Sequence, residues 1–174
     1  MRKILLESLL RRPLTEPPPA LDDAELAQLG SALERATRRG LGRSLAIREV
    51  DAGSCNGCEL EIHALGNPYY DLERYGIRFV ASPRHADVLL VTGPVTCNMR
   101  EALLRTYHAT PDPKWVVAVG DCGVDAGVFA GSRAVVGGVG DVIPVDLRIP
   151  GCPPTPLALL RGLLALLART AEGG

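Results

Sequence analysis

From Ser44 onward the apolar positions switch repeatedly between two spacings. Short apolar runs predict strands over 44–50, 77–81, 87–92, 114–120 and 143–149. Between them, helical spacing covers 58–65, 99–108 and 155–170, with a shorter helical piece at 69–75. The runs DVLLVT (87–92) and KWVVAVG (114–120) are apolar almost throughout, as strands buried on both faces of a parallel sheet are. Strand alternating with helix predicts an α/β domain with a doubly wound parallel sheet over residues 44–174.

Residues 1–43 read differently. Residues 2–12 predict a short amphipathic helix, ended by Pro13 and by a stiff spacer at Pro17, Pro18 and Pro19. Leu21–Arg39 then predicts a helix, capped by Asp22 or Asp23, with Leu26, Leu29, Leu33 and Ala36 on one stripe. Gly40 and Gly42 close it. The expectation is a helical N-terminal arm, either a plain extension or a docking element for a partner.

The chain of 174 residues carries a formal charge of −1 and only 4% aromatic residues. A generic nucleic-acid binder needs a basic excess, and a single-strand binder needs stacking platforms, so no nucleic-acid partner is expected. The most apolar segment, 156–170, is shorter than the roughly 20 residues a membrane span requires and is interrupted by Arg161. The basic start contains Glu7 and runs into Arg11 and Arg12, so no signal peptide is expected. The expected compartment is the cytoplasm, where thiols stay reduced and cysteines more often ligate metal than pair.

All five cysteines follow predicted strands. Cys55 and Cys58 come after the first, Cys97 after the run ending at Thr92, Cys122 after Gly120 and Cys152 after Ile149. In an open parallel sheet the carboxyl ends of the strands share one crevice, so thiols distant in sequence converge there. Cys55, Cys58, Cys122 and Cys152 would give four sulfurs, enough for a structural zinc site or an iron–sulfur cluster. A zinc site ordinarily uses two short ligand pairs, and here the second pair is absent. Each isolated cysteine instead sits in a glycine- or proline-rich turn that brings backbone N–H groups close to sulfur, which favours a cluster. A redox-active dithiol at Cys55 and Cys58 is a third reading, but it leaves Cys122 and Cys152 without a role.

Five segments carry a family resemblance: Gly53–Glu59 (GSCNGCE), Ser82–Asp87 (SPRHAD), Pro111–Lys114 (PDPK), Gly120–Gly123 (GDCG) and Ile149–Pro156 (IPGCPPTP). Together they resemble the small subunit of membrane-bound group 4 nickel–iron hydrogenases, of which formate hydrogenlyase is the type example. The wider family includes the cluster-bearing B-type subunit of respiratory complex I (NADH-quinone oxidoreductase). The resemblance runs from residue 44 to about residue 168 and implies a flavodoxin-like fold. It also implies one [4Fe-4S] cluster on Cys55, Cys58, Cys122 and Cys152. Complex I subunits have two adjacent cysteines at the first pair, whereas Cys55-Asn56-Gly57-Cys58 has the hydrogenase spacing.

By the same resemblance Glu61 matches a glutamate beside the cluster, a candidate proton relay facing a partner. The alternative is a plain carboxylate at a helix start. Glu59 either tunes the cluster or simply faces solvent, and the solvent-facing reading is preferred. Cys97 reads as a small thiol outside the ligand set, and His63, His85 and His108 as surface or capping residues. With four cysteines committed and one left, this chain cannot also hold a nickel–iron centre, and it has no Gly-x-Gly-x-x-Gly nucleotide fingerprint. The expected role is electron transfer to a catalytic large subunit. A ferredoxin-like iron–sulfur subunit would carry the other clusters, and integral-membrane subunits would hold the complex at the inner face of the cell membrane. Quinone reduction in a complex I-like assembly and a zinc-stabilised scaffold are the rival readings.

Overall fold

The structure is a computed structural model and describes residues 23–172. Five parallel strands form one sheet: β1 (Leu45–Asp51), β2 (Ile77–Phe79), β3 (Val88–Thr92), β5 (Trp115–Val119) and β7 (Leu147–Ile149), in the order β2-β1-β3-β5-β7. Two shorter strands, β4 (Val95–Thr96) and β6 (Val135–Gly137), pair antiparallel beside it. With that small pair set aside, the order is that of a flavodoxin-like sheet, with its topological switch between β1 and β3.

The sheet separates two apolar layers. On one side, Leu45 and Ile47 of β1 and Val88 and Leu90 of β3 pack with three helices: α1 (Asp23–Leu41), α2 (Gly57–Ala64) and α5 (Pro156–Glu172). On the other, Leu89 and Val91 pack with Leu103 of α3 (Arg100–Ala109) and with Val139 and Ile143. Alternate residues of β3 thus enter opposite layers, which is why its sequence is apolar throughout.

Helix α1 lies within the segment expected as an arm, and it is built into the core. Leu26, Leu29 and Leu33 are buried against the α5 layer, each worth roughly 1.5–3 kcal/mol of burial. An ion pair between Arg161 of α5 and Glu25 of α1 flanks this contact. The helix read over 2–12 and the spacer at Pro17–Pro19 lie outside the described residues.

Several expected elements are shorter than their apolar runs. The 143–149 run becomes a strand only at Leu147–Ile149. Pro144 has no N–H for a ladder, and the Asp146 carboxylate accepts a hydrogen bond from the Val116 N–H at 2.7 Å. The 69–75 piece is a single 3-10 turn at Leu72–Tyr75, after an Asn67 side chain that accepts from the N–H groups of Tyr69 and Tyr70. A further helix, α4 (Gly120–Asp125), starts directly where β5 stops.

Asp87 anchors the amino-terminal end of the sheet. Its buried carboxylate accepts from both Arg43 guanidinium nitrogens, at 2.8 and 2.5 Å, and from the Ala46 N–H at 2.9 Å. Asp87→Ala leaves that buried N–H unpaired and is expected to lower stability by about 1–3 kcal/mol, read from urea unfolding midpoints. A shift within error would show that water replaces the carboxylate at no cost.

Candidate metal centre

Three loops at the carboxyl edge of the sheet deliver four thiols. After β1, the Asp51 carboxylate accepts from the N–H groups of Gly53 and Ser54, both at 2.7 Å, and folds the chain back on itself. Cys55 follows, Asn56 takes a left-handed conformation, φ 71°, and α2 begins with Cys58 in its first turn. At the end of β5, Gly120 turns the chain with φ +79° into α4, which carries Cys122. A Cβ at Gly120 would stand 2.6 Å from Cys58 Sγ, so only glycine lets β5 end against that sulfur.

Asp121 joins the loop of Cys122 to the loop of Cys152. Its N–H donates to the Gly151 carbonyl at 2.9 Å, and its carboxylate accepts from the Gly151 N–H at 2.7 Å. This two-way bond holds Cys152 beside Cys122, and the Cys152–Pro153 peptide that follows is cis.

The result is a hollow of about 110 Å³ whose wall includes Cys55, Cys58, Cys122 and Cys152. Among the described residues, no lysine, arginine or histidine lines it. Burial pushes the Cys58 thiol up to about 12, helped by Glu59 and by the other three cysteines. Burial likewise raises Cys122, with Cys152 and Cys55 the leading charges acting on it. These thiols therefore feel one another, and the wall offers no cation to stabilise a thiolate. That is the reverse of a reactive dithiol, whose attacking thiol has a lowered pKa. Thiolates here require positive charge supplied from within the hollow, so the donor set fits a bound iron–sulfur group. Among the described residues, no group of three or more His, Cys, Asp or Glu side chains is set to hold a single metal ion.

The remaining expected residues separate cleanly. Cys97 is exposed, with its sulfur 3.6 Å from the Arg133 carbonyl, and lies outside the hollow. His63, His85 and His108 are exposed and also lie outside it. Glu61 is half-buried on α2, one turn past Cys58, and does not line the hollow.

Glu59 corrects the expectation of a solvent-facing carboxylate. It is buried, and neither carboxylate oxygen has a hydrogen-bond partner among the described residues. It shares the inward face of α2 with Ile62, three residues on. Glu49 is a second carboxylate that sequence reasoning passed over. Leu45 and Ile47 enter the layer under α1, α2 and α5, so the two-residue period of β1 places Glu49 on that same covered face. Its Oε1 is buried and unpartnered among the described residues.

Burial first, then repulsion from Glu59, push the Glu49 carboxyl above the ordinary carboxylate range, while His63 and Arg48 act the other way. The folded state therefore binds this proton more tightly than the unfolded state. The associated stability is complete below the ordinary carboxylate value and is lost as pH rises through the folded one. Glu49→Gln is expected to flatten this decline with rising pH in a series of urea midpoints against pH. An unchanged slope would refute the assignment.

A family model described as NADH ubiquinone oxidoreductase, 20 Kd subunit, matches residues 55–166. Formate hydrogenlyase subunit 7 of Escherichia coli (strain K12) is 45% identical over 151 residues, which cover 87% of this chain and 58% of that protein. This chain thus spans less than two thirds of that relative. The probable membrane-bound hydrogenase subunit mbhJ of Pyrococcus furiosus is 48% identical over 132 residues, covering 76% of this chain and 79% of that one. A chain of the membrane-bound sulfane sulfur reductase, an archaeal respiratory membrane complex, superposes with a TM-score of 0.68. It is 35% identical and the match covers 82% of this chain and 77% of that chain. The family match begins at Cys55 and ends within α5, so it spans all four thiols of the hollow. The resemblance read from the motifs is borne out: the chain belongs to the NADH ubiquinone oxidoreductase 20 Kd subunit family.

Proposed function

We propose that this chain is the electron-transfer subunit of a membrane-bound, hydrogenase-like complex, holding one [4Fe-4S] cluster on Cys55, Cys58, Cys122 and Cys152. The observation that carries this reading is the hollow: four thiols from three separate loops, walled without a cation among the described residues. When bound, such a cluster accepts and releases one electron at a time. This chain's residues supply the rest. Asp51 and Asp121 hold the thiol loops in register. Ile62 and Ile149, buried near two of those loops, anchor them to the core.

The arrangement of the thiols speaks against a zinc scaffold. A zinc site ordinarily combines two short ligand pairs, and here only Cys55 and Cys58 form one, with Cys122 and Cys152 each in a separate loop.

Apolar side chains flank this face. Leu60 lies two residues past Cys58 on α2 and is 62% exposed, and Val128, just past α4, is 86% exposed. Exposed apolar surface beside a redox group suits a catalytic large subunit docked over the cluster. The same reading places a ferredoxin-like subunit upstream and integral-membrane subunits alongside. No helix among the described residues is long and apolar enough to cross a membrane, so the chain is read as peripheral, on the inner face. Glu61 is read as a proton relay toward the large subunit.

A quinone-reducing, complex I-like assembly is the second reading, because the family takes its name from such an enzyme. The Cys55-Asn56-Gly57-Cys58 spacing favours the hydrogenase reading over it. Purifying the complex through a tag on this chain separates the two. Nickel in the copurified large subunit, with hydrogen evolution, is the expected result. A nickel-free complex that reduces quinone would overturn it.

A further inference from the structure

A second concavity lies against α2, apart from the thiol hollow, with which it shares no wall residue. It measures about 410 Å³, and its wall includes Arg48 and Glu49 of β1, Ile62 and His63 of α2, and Phe79 at the end of β2. Glu49 stands where packing alone would select an apolar residue. Leu45 and Ile47 precede it on the same face of β1 and are fully buried, and β3 sets buried Leu90 directly opposite.

The Glu49 Oε1 is buried and has no hydrogen-bond partner among the described residues. Arg48 and His63 share the wall, yet neither hydrogen-bonds that oxygen. For Arg48 the reason is local, since successive strand residues point to opposite faces. On α2, the inward face that brings Ile62 to the groove also carries Glu59, whose two carboxylate oxygens are unpartnered as well. An acid left without a partner in such a place destabilises the chain by itself, where a leucine would not. Once ionised, the two acids outweigh Arg48, and the complement they lack is a cation brought from outside. The surroundings suit a cation carried on protein. Phe79 is 38% exposed at this groove, and Leu60, 62% exposed, places the docking face on the same helix that walls it. An arginine fits this wall better than a lysine. Its fork bonds a carboxylate through two N–H groups, it is more weakly hydrated than an ammonium, and its plane can lie on the Phe79 ring.

We propose that this groove is a socket for an arginine side chain that the large subunit inserts on docking, with Glu49 as its counter-charge. The proposal rests on the reading of the chain as a docked subunit and makes no use of the cluster. The acid that destabilises the chain alone then holds the assembled pair together, because the arriving guanidinium supplies the partner that the fold withholds.

The test compares wild type with Glu49→Leu and Glu49→Gln in two measurements. One is the urea midpoint of the full chain. The other is the rate at which the large subunit leaves the complex when it is held through a tag on this chain and washed. A socket predicts opposite signs: Glu49→Leu raises the urea midpoint at neutral pH, yet the large subunit leaves roughly 30-fold faster or more. Glu49→Gln, which keeps the shape, also speeds loss of the large subunit and guards against a folding defect in the leucine variant. A photo-crosslinking phenylalanine analogue placed at Phe79 in the purified complex then identifies the occupant. The expected product joins it to a large-subunit peptide containing an arginine, and changing that arginine to leucine adds little to the effect of Glu49→Leu. Unchanged retention in both Glu49 variants, or a crosslinked peptide without arginine, overturns the socket alone. A tagged wild-type chain that brings down no large subunit overturns the docked-subunit reading, and the socket with it.

Discussion

Cys58→Ala leaves the chain colourless and without a reduced-state EPR signal. The same loss follows singly from alanine at Cys55, Cys122 or Cys152, because a cubane held by four thiolates has no spare ligand in this hollow. Cys58 is the most demanding of the four. It is half-buried, next to Glu59, and its thiol is pushed up to about 12 without a bound cation. Iron must displace that proton, so loading at this position is expected to weaken as pH falls. The fold itself should persist in Cys58→Ala, since alanine continues the first turn of α2 and the core leucines are untouched. Cys97→Ala is the internal control and retains the full signal, because Cys97 lies outside the hollow. Loss of signal in Cys97→Ala with retention in Cys122→Ala would contradict the ligand assignment.

Gly120→Ala is expected to damage stability and loading together. A non-glycine residue held at φ +79° costs roughly 1–2 kcal/mol, and the new Cβ meets Cys58 Sγ at 2.6 Å and the Gly151 carbonyl at 3.3 Å. Neither neighbour can withdraw freely: Cys58 packs against the core cluster, and Gly151 is bonded on both sides to Asp121. Overpacking adds roughly 1–3 kcal/mol. The variant should therefore unfold at lower urea and hold much less iron per folded chain. Wild-type iron content with wild-type stability would show that the Gly120 turn is not the constraint.

The sheet was legible because its strands are buried on both faces. Leu89 and Leu90 of β3 face opposite layers, and both need to be apolar. The convergence of four thiols was legible for a related reason, since each cysteine lies just past a strand and parallel strands end on one edge. Helix α4 was harder to read, because Gly120-Asp121-Cys122-Gly123 has weak helical propensity and is held by the Asp121–Gly151 bonds rather than by its own sequence. The burial of Glu59 was hidden by its charge. A carboxylate at the start of a short helix ordinarily faces water, and only the packing of α2 against the sheet turns it inward. Glu49 carried a readable signal in the alternation of β1, where an acid occupies the same face as Leu45 and Ile47. The core role of α1 followed from three leucines whose partners on α5 lie more than a hundred residues away, a pairing that local pattern does not specify.

Metal and sulfide content of the chain purified under anaerobic conditions tests the central claim most directly. The account predicts a brown protein with about four irons and about four labile sulfides per chain. Stoichiometric zinc without iron would contradict it.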